Sequence, residues 1–276
     1  MTVAVPRHVS WLHRWPRAAL VPLAVGGVAI TLIQIVIGSQ TGLFPIPPGD
    51  TLIWDRVGDG LRNGEPIYYA AQPLTNSFWY APPWAVVFAA TSWLPPWVLH
   101  LAFVAVKVVS LRVIAGSWLG AGVAAWFPLV AFDLASGSFN LLMAAAIVAA
   151  VRGRPELAVV AALAKFGPII AVDPRQWRSV LPVAVLAALI TLPWLSLWPE
   201  WINHLAVYVG SALGPQLPIP LLARWALAVG LLALRRPWAR ALAATIAIPA
   251  FYWGSLVILI APIAVWLRDR QRPEAA

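Results

Sequence analysis

Cysteine is absent from the 276 residues. That excludes disulfides, thiol nucleophiles and cysteine-based metal centres. Charge is scarce as well: Asp, Glu, Lys and Arg make up 11% of the chain, and hydrophobic residues 61%. A soluble domain carries about 25% charged residues. No charged residue occurs in 18–49, 66–106, 113–132, 134–151, 179–199, 201–223 or 241–267. Such windows exclude a globular enzyme with one anchor and point to an integral membrane protein, because a helix needs about 20 apolar residues to cross the hydrocarbon. No Asp-x-Asp pair occurs, and the four histidines are scattered. No metal is therefore expected. No GxxxxGK[ST] phosphate loop occurs either, so neither ATP nor direct use of a nucleotide sugar is expected. An internal repeat is also missing, which weighs against inverted-repeat transporters.

What charge there is lies mostly in basic clusters between apolar runs: Arg7/Arg14/Arg17, Lys107/Arg112, Arg152/Arg154, Arg175/Arg178, Arg235/Arg236/Arg240 and Arg268/Arg270/Arg272. The net charge of +9 then reports topology by the positive-inside rule, and nucleic acid is not the expected partner. Placing every cluster on the cytoplasmic side gives one thread. It has about eight full spans in a single transmembrane domain over 1–276, with both termini cytoplasmic. Residues 18–38 form a retained first helix, since the run is too long for a signal-peptide core and no clear cleavage site follows. An outer loop over 39–96 holds interfacial helices. Helix 3 runs as one piece over about 119–134. The segment 155–173 is basic at both ends and broken by "AKFGP", so it is expected to enter and return as a re-entrant pair. Seventeen tryptophans and 26 prolines fit interfacial anchoring and frequent helix breaks.

Four of the ten acids fall in one short stretch, "PPGDTLIWDRVGDGLRNGEPIYY" (47–69). "TLIWDRVGDGL" reads as an amphipathic helix lying in the interface, with Leu52, Trp54 and Leu61 toward lipid. Asp50 at its start is a candidate N-cap. Asp55, Asp59 and Arg62 read as a solvated face. "FWYAPPW" (78–84) opens a second short apolar helix. Arg224 is placed about seven residues into a helix that starts near 217, where an ionisable group marks function unless it snorkels to the interface. Lys165 sits at the "AKFGP" break, as a ligand-binding or a structural cation. His204, in "WPEWINHLAVY", is either a proton-transfer or phosphate-binding group or merely amphipathic. Asp133 is expected to cap the "ASGSFN" turn rather than bind sugar.

The order of these motifs resembles glycosyltransferase family 87, the polyprenyl-phosphate-sugar-dependent mannosyltransferases of the GT-C superfamily. Asp50 and Trp54 are similar to its Asp-x-x-x-Tyr element, Gly64 and Tyr68 to its Gly-x-x-x-Tyr, and Tyr80, Pro82 and Pro83 to its Tyr-Pro-Pro element. Gly137 and Asn140 are similar to its Gly-Gln-x-Asn turn, with Ser138 in place of Gln. Lys165 and Pro168 resemble its Lys-x-x-Pro, and "RQWR" (175–178) its basic cytoplasmic turn. The resemblance extends loosely over about 18–234.

It implies an all-α polytopic membrane protein with a GT-C-like helical bundle, and a hexosyl transfer, here of mannose, on the outer face of the plasma membrane. The donor would be a polyprenyl-phosphate sugar held by membrane lipid, the acceptor a glycolipid or glycan, and no cofactor would be needed. Asp50 is implied as the base that takes the acceptor proton, with His204 assisting. Arg56, Tyr68, Tyr80, Asn140, Lys165 and Arg224 are expected to bind donor sugar and phosphate, since a leaving phosphate needs cations in a low-dielectric site. The competing readings are a lipid or solute transporter or flippase, which should carry acids in mid-helix, and a non-catalytic membrane subunit.

Overall fold

The structure, a computed structural model, describes residues 16–43, 49–68, 78–209, 219–249, 251 and 253–270. The 44–48, 69–77 and 210–218 parts of the expected outer loops, and Arg7, Arg14 and Arg272 of the basic clusters, lie outside the described residues. Every regular element among the described residues is helical: α1 (Arg17–Gln40), α2 (Gly49–Asn63), α3 (Pro82–Thr91), α4 (Pro96–Ala115), α5 (Trp118–Ala124), α6 (Pro128–Ala135), α7 (Asn140–Val151), α8 (Glu156–Ala162), α9 (Trp177–Leu189), α10 (Leu197–Val209), α11 (Leu221–Ala233), α12 (Pro237–Ile246) and α13 (Ile260–Asp269), with 3-10 turns at Gly167–Ala171 and Trp253–Leu259 among others.

Two helices, α1 and α4, are long and apolar enough to cross a membrane, or three spans if the bent pair α5–α6 is counted as one. The expectation of about eight full spans is not met at spanning length among the described residues: α7 and α11, for example, are shorter apolar helices. One expectation is corrected in detail. The helix expected over 119–134 is not continuous, because α5 and α6 meet at 101°. Pro128 opens α6, and the preceding Phe127 is extended at φ −67°, ψ 119°. Proline lacks the N–H that would continue the ladder and disfavours α geometry in the residue before it.

α1 and α5 lie in close contact through small residues. A Cβ on Gly27 would overlap the carbonyl of Gly122, and one on Gly122 would come within 2.7 Å of the Ala24 Cβ. Two cross-helix hydrogen bonds follow from that approach: Thr31 Oγ1 donates to the Ala125 carbonyl at 2.9 Å, and Trp126 Nε1 to that of Leu23 at 2.6 Å. Close backbone approach of this kind is how helices associate where no hydrophobic drive exists between them and lipid. Gly27→Ala is expected to push α1 off α5 and cost about 1–3 kcal/mol, the usual penalty of overpacking. A lower unfolding temperature in detergent would register it; an unchanged one would show that the contact is dispensable.

α7 is the central helix. Ten of its residues are buried: five alanines, Leu141, Met143, Ile147 and Val148, and Asn140 at its start. A helix apolar on every side must be surrounded, and α4, α8, α12 and α13 surround it. Its N-terminus therefore opens inside the bundle, and its C-terminus reaches the arginine-rich end. There Arg152 donates to the Val113 carbonyl at 3.2 Å and Arg268 to that of Ile114 at 2.6 Å, while Arg112 lies 5.4 Å over the Trp118 ring. Gly116 closes α4 at φ 81°, the left-handed cap that glycine adopts without a Cβ penalty.

The chain breaks after α8 as "AKFGP" predicts. The freed Leu163 carbonyl accepts the Ala81 N–H at 2.8 Å, just ahead of α3, so the break is satisfied by protein. A 3-10 turn rather than an α-helix follows, with Gly167 pressed on α12. α2 differs from its expected pose. Trp54 and Leu61 are buried, and of the three residues expected toward lipid only Leu52 is exposed, because α3 packs along that face of α2 with the Phe88 carbonyl against Gly58. Asp59 and Arg62 do form a surface pair at 3.0 Å.

Candidate functional site

The N-terminus of α7 is the centre of a buried polar cluster. Asp133, fully buried near the end of α6, accepts hydrogen bonds from the Leu141 N–H (3.2 Å), from Asn140 Nδ2 (3.0 Å) and from the Ser138 hydroxyl. It thus caps α7 and holds the "ASGSFN" turn, as expected. A carboxylate is favoured there because the first turn of a helix leaves its N–H groups unpaired. Asn140 is also fully buried. Its amide donates to the Gly254 carbonyl at 3.2 Å, and its Oδ1 accepts from Lys165 Nζ at 3.4 Å. Lys165 reaches the Ser255 hydroxyl at 3.2 Å. One network therefore joins α6, α7, the break after α8 and the Trp253–Leu259 turn.

Lys107 completes it, and this corrects the sequence reading. The lysine was expected beside Arg112 at a cytoplasmic end. It is instead fully buried midway along α4. Its Nζ donates to the backbone carbonyls of Asp133 and Ser136 and lies 4.0 Å from Asp133 Oδ2. Those carbonyls end α6, where the helix leaves acceptors unpaired and its dipole is negative.

Asp50 meets this cluster through Gly137. A Cβ on Gly137 would overlap that of Asp50 and lie 3.2 Å from the Thr51 N–H nitrogen, so only glycine lets the start of α2 settle on the turn. Asp50 is not the N-cap. α2 already begins at Gly49, and among the described residues nothing hydrogen-bonds to the Asp50 carboxylate. The group is half-buried. Burial raises its pKa above the ordinary aspartate value, Lys107 and Lys165 draw it back, and Asp133 adds to the rise.

Aromatic side chains wall this region. Phe139 is the hub, with ring centroids 4.5 Å from Tyr80, 4.5 Å from Trp84, 4.9 Å from Phe103 and 5.6 Å from Trp54. The indole N–H groups of Trp54 and Trp84 and the Thr51 hydroxyl are buried without a partner. Asp50, Thr51 and Trp54 share a face of α2 by their three- and four-residue spacing. An unpaired buried donor costs about 1–3 kcal/mol, so the Thr51 hydroxyl and the Trp54 indole, on the helix face that carries the Asp50 carboxylate, form an arrangement that a ligand rich in hydroxyls would complete.

The remaining expected residues fall into place around this centre or away from it. Tyr68 donates its hydroxyl to the Tyr80 carbonyl at 2.6 Å and so ties two of the quoted motifs together. His204 is buried on α10, stacked 4.3 Å from Trp79 at 24°, with Nε2 unpaired. Burial lowers its pKa, which favours a neutral ring over a phosphate-binding cation. Arg56 is exposed on α2.

Arg224 is corrected. It lies in the first turn of α11, which starts at Leu221 rather than near 217. Its guanidinium donates to the carbonyls of Ile246 (3.3 Å), Ile248 (2.6 Å) and Pro249 (2.8 Å). Those carbonyls lie at and just beyond the end of α12, and Trp225 Nε1 adds a bond to Ala247 at 3.0 Å. Arg224 therefore secures a helix C-terminus, and its terminal nitrogens are committed to backbone rather than to phosphate.

Sequence reasoning missed Lys107 as a member, and Ser255 with Gly254 altogether. A lysine in an apolar helix carries a signal of its own, which proximity to Arg112 masked. "YWGSLV" carries none. Among the described residues no group of three or more His, Asp or Glu side chains is placed to hold a metal ion. No family model, curated protein or solved structure matches this chain.

Proposed function

We propose that this chain is a membrane glycosyltransferase of the GT-C kind. It moves a hexose, mannose by its resemblance to family 87, from a polyprenyl-phosphate sugar to a glycolipid or glycan acceptor on the extracytoplasmic side of the plasma membrane. The observation that carries this reading is the Asp50 carboxylate. It stands without a hydrogen bond among the described residues, beside the unpartnered Thr51 hydroxyl and one helical turn from the unpartnered Trp54 indole, within the field of buried Lys107 and half-buried Lys165.

In the proposed step Asp50 takes the proton from an acceptor hydroxyl as that oxygen attacks the anomeric carbon. The bond from that carbon to the phosphate oxygen breaks, and the configuration inverts. The polyprenyl phosphate leaves with the bonding pair, and Lys165 supplies positive charge where its negative charge grows. The aromatic wall of Tyr80, Trp84 and Phe139 suits the apolar face of a sugar ring. The short length of α2 and α3 suits interfacial helices better than spans.

A second reading is favoured by one observation. Lys107, in the candidate span α4, and Asp133, in the bent α5–α6 pair, form a buried charge pair, a feature common in proton-coupled carriers. Proteoliposomes separate the two. The expected result is transfer of labelled mannose from a synthetic polyprenyl phosphate mannose to a lipid or glycan acceptor. Absence of transfer with every lipid-phosphate sugar, together with uptake or lipid flipping that responds to a proton gradient, would establish the carrier instead.

A further inference from the structure

Lys107 occupies an unusual position for a residue with only a structural duty. An ammonium midway along a candidate span is costly, and Asp133, the acid within ion-pair reach of it among the described residues, is already satisfied by three donors from Leu141, Asn140 and Ser138. The lysine sits at the salt-bridge limit of 4.0 Å from that carboxylate, and its hydrogen bonds go to two neutral carbonyls, those of Asp133 and Ser136. An amide or a hydroxyl would cap carbonyls as well. What a lysine adds is charge. The next residue along the turn is Gly137, and Asp50 rests on it. The Ser136–Gly137 step is thus gripped by Lys107 through the Ser136 carbonyl and by Asp50 through the bare Gly137 α-carbon.

We propose that Lys107 is a positioning residue for Asp50: it pins the 136–138 turn on which Asp50 rests and supplies the buried positive charge that keeps the Asp50 carboxylate ionised. The charged groups facing Asp50 are Lys107 from α4, Lys165 from the break after α8 and Asp133 from α6. Asp133 opposes ionisation and Lys165 is tied to Asn140 and Ser255, so Lys107 is the cation whose removal alters Asp50 without taking a donor from Asn140 or Ser255. In water, two charges a few ångströms apart interact weakly; out of water the same pair interacts several-fold more strongly. A group that acts through another group needs such a setting.

The proposal touches the glycosyltransferase reading only in its consequence, and its test needs neither donor nor acceptor. The full chain, labelled with 13C at aspartate carboxyls, is titrated in lipid nanodiscs, and Asp50→Asn assigns the Asp50 signal. Lys107→Gln keeps donors for the two carbonyls and removes the charge. It is expected to move the Asp50 midpoint to higher pH, whereas Lys107→Arg keeps the wild-type midpoint. A folded Lys107→Gln protein whose Asp50 titrates as in the wild type would overturn the proposal. Should the glutamine variant fail to fold, the wild type still decides. Lysine 13Cε shifts are expected to show Lys107 charged throughout the pH range in which Asp50 ionises, and a neutral amine there overturns the proposal equally. Failure to detect sugar transfer would leave these midpoints untouched, so the two failures are distinguishable.

Discussion

Asp50→Asn is expected to lower sugar transfer by about 10²–10⁴-fold, the usual contribution of a general base, while the protein stays folded. The physical argument has two parts. Asparagine keeps the shape that rests on Gly137, and the carboxylate makes no hydrogen bond among the described residues, so little is lost from the fold. Asparagine cannot accept the acceptor's proton, so the attacking oxygen stays a neutral hydroxyl. The pH profile gives the same assignment a second reading. Burial raises the Asp50 pKa above its ordinary value, and Lys107 and Lys165 offset only part of that rise. The active form is the carboxylate, so activity is present above this pKa and is lost as pH falls through it. The acid limb is therefore expected above the range of an ordinary aspartate. Initial rates in proteoliposomes measure both effects, and equal rates for the two proteins would remove Asp50 from the mechanism.

Asp133→Ala carries the largest expected effect on stability. The substitution leaves Lys107 as a fully buried cation without the carboxylate in ion-pair reach of it. It also strips the Leu141 N–H, the Asn140 amide and the Ser138 hydroxyl of an acceptor. Removing one partner of a buried ion pair costs about 3–5 kcal/mol, a large share of the roughly 5–15 kcal/mol that holds a domain together. Little folded protein is expected in the membrane fraction. Fluorescence-detected size exclusion checks this, and a monodisperse peak of wild-type height would refute it. A double change, Lys107→Met with Asp133→Leu, is expected to recover part of the loss, because an apolar pair of similar volume commonly replaces a buried ion pair at little cost.

Much of the site was legible because its residues carry local signatures. Lys165 in "AKFGP" is legible from its own few neighbours, Asp50 after "PPG" and Asn140 after "SGSF" from the order of motifs that resembles family 87, and the fold brings them to one place. Asp133 was correctly placed as the holder of the turn, since an acid eight residues ahead of a helical N–H lies within one short connection of it. Arg224 was misplaced by a boundary. Starting α11 near Leu217 rather than at Leu221 turned a first-turn residue into a mid-span one, and so turned a link to a neighbouring helix into an apparent ligand group. Trp54 and Leu61 were turned toward lipid because an amphipathic helix looks the same from sequence whether its apolar face meets a bilayer or another helix; α3 decides it.

The sequence by itself determined that this chain is helical and apolar, that a helix breaks at "AKFGP", and which short turns carry polar groups. These properties depend on hydropathy, on proline's missing N–H and on glycine's missing Cβ, all of which act over a few residues. Only the tertiary structure decided what each buried charge does. Lys107 turns inward because the carbonyl end of α6, 26 residues away along the chain, stands opposite it, and Arg224 turns to the end of α12 for the same reason. A long cationic side chain in an apolar helix must find acceptors. Whether it finds water at a boundary or the open end of another helix depends on what the fold has packed against it.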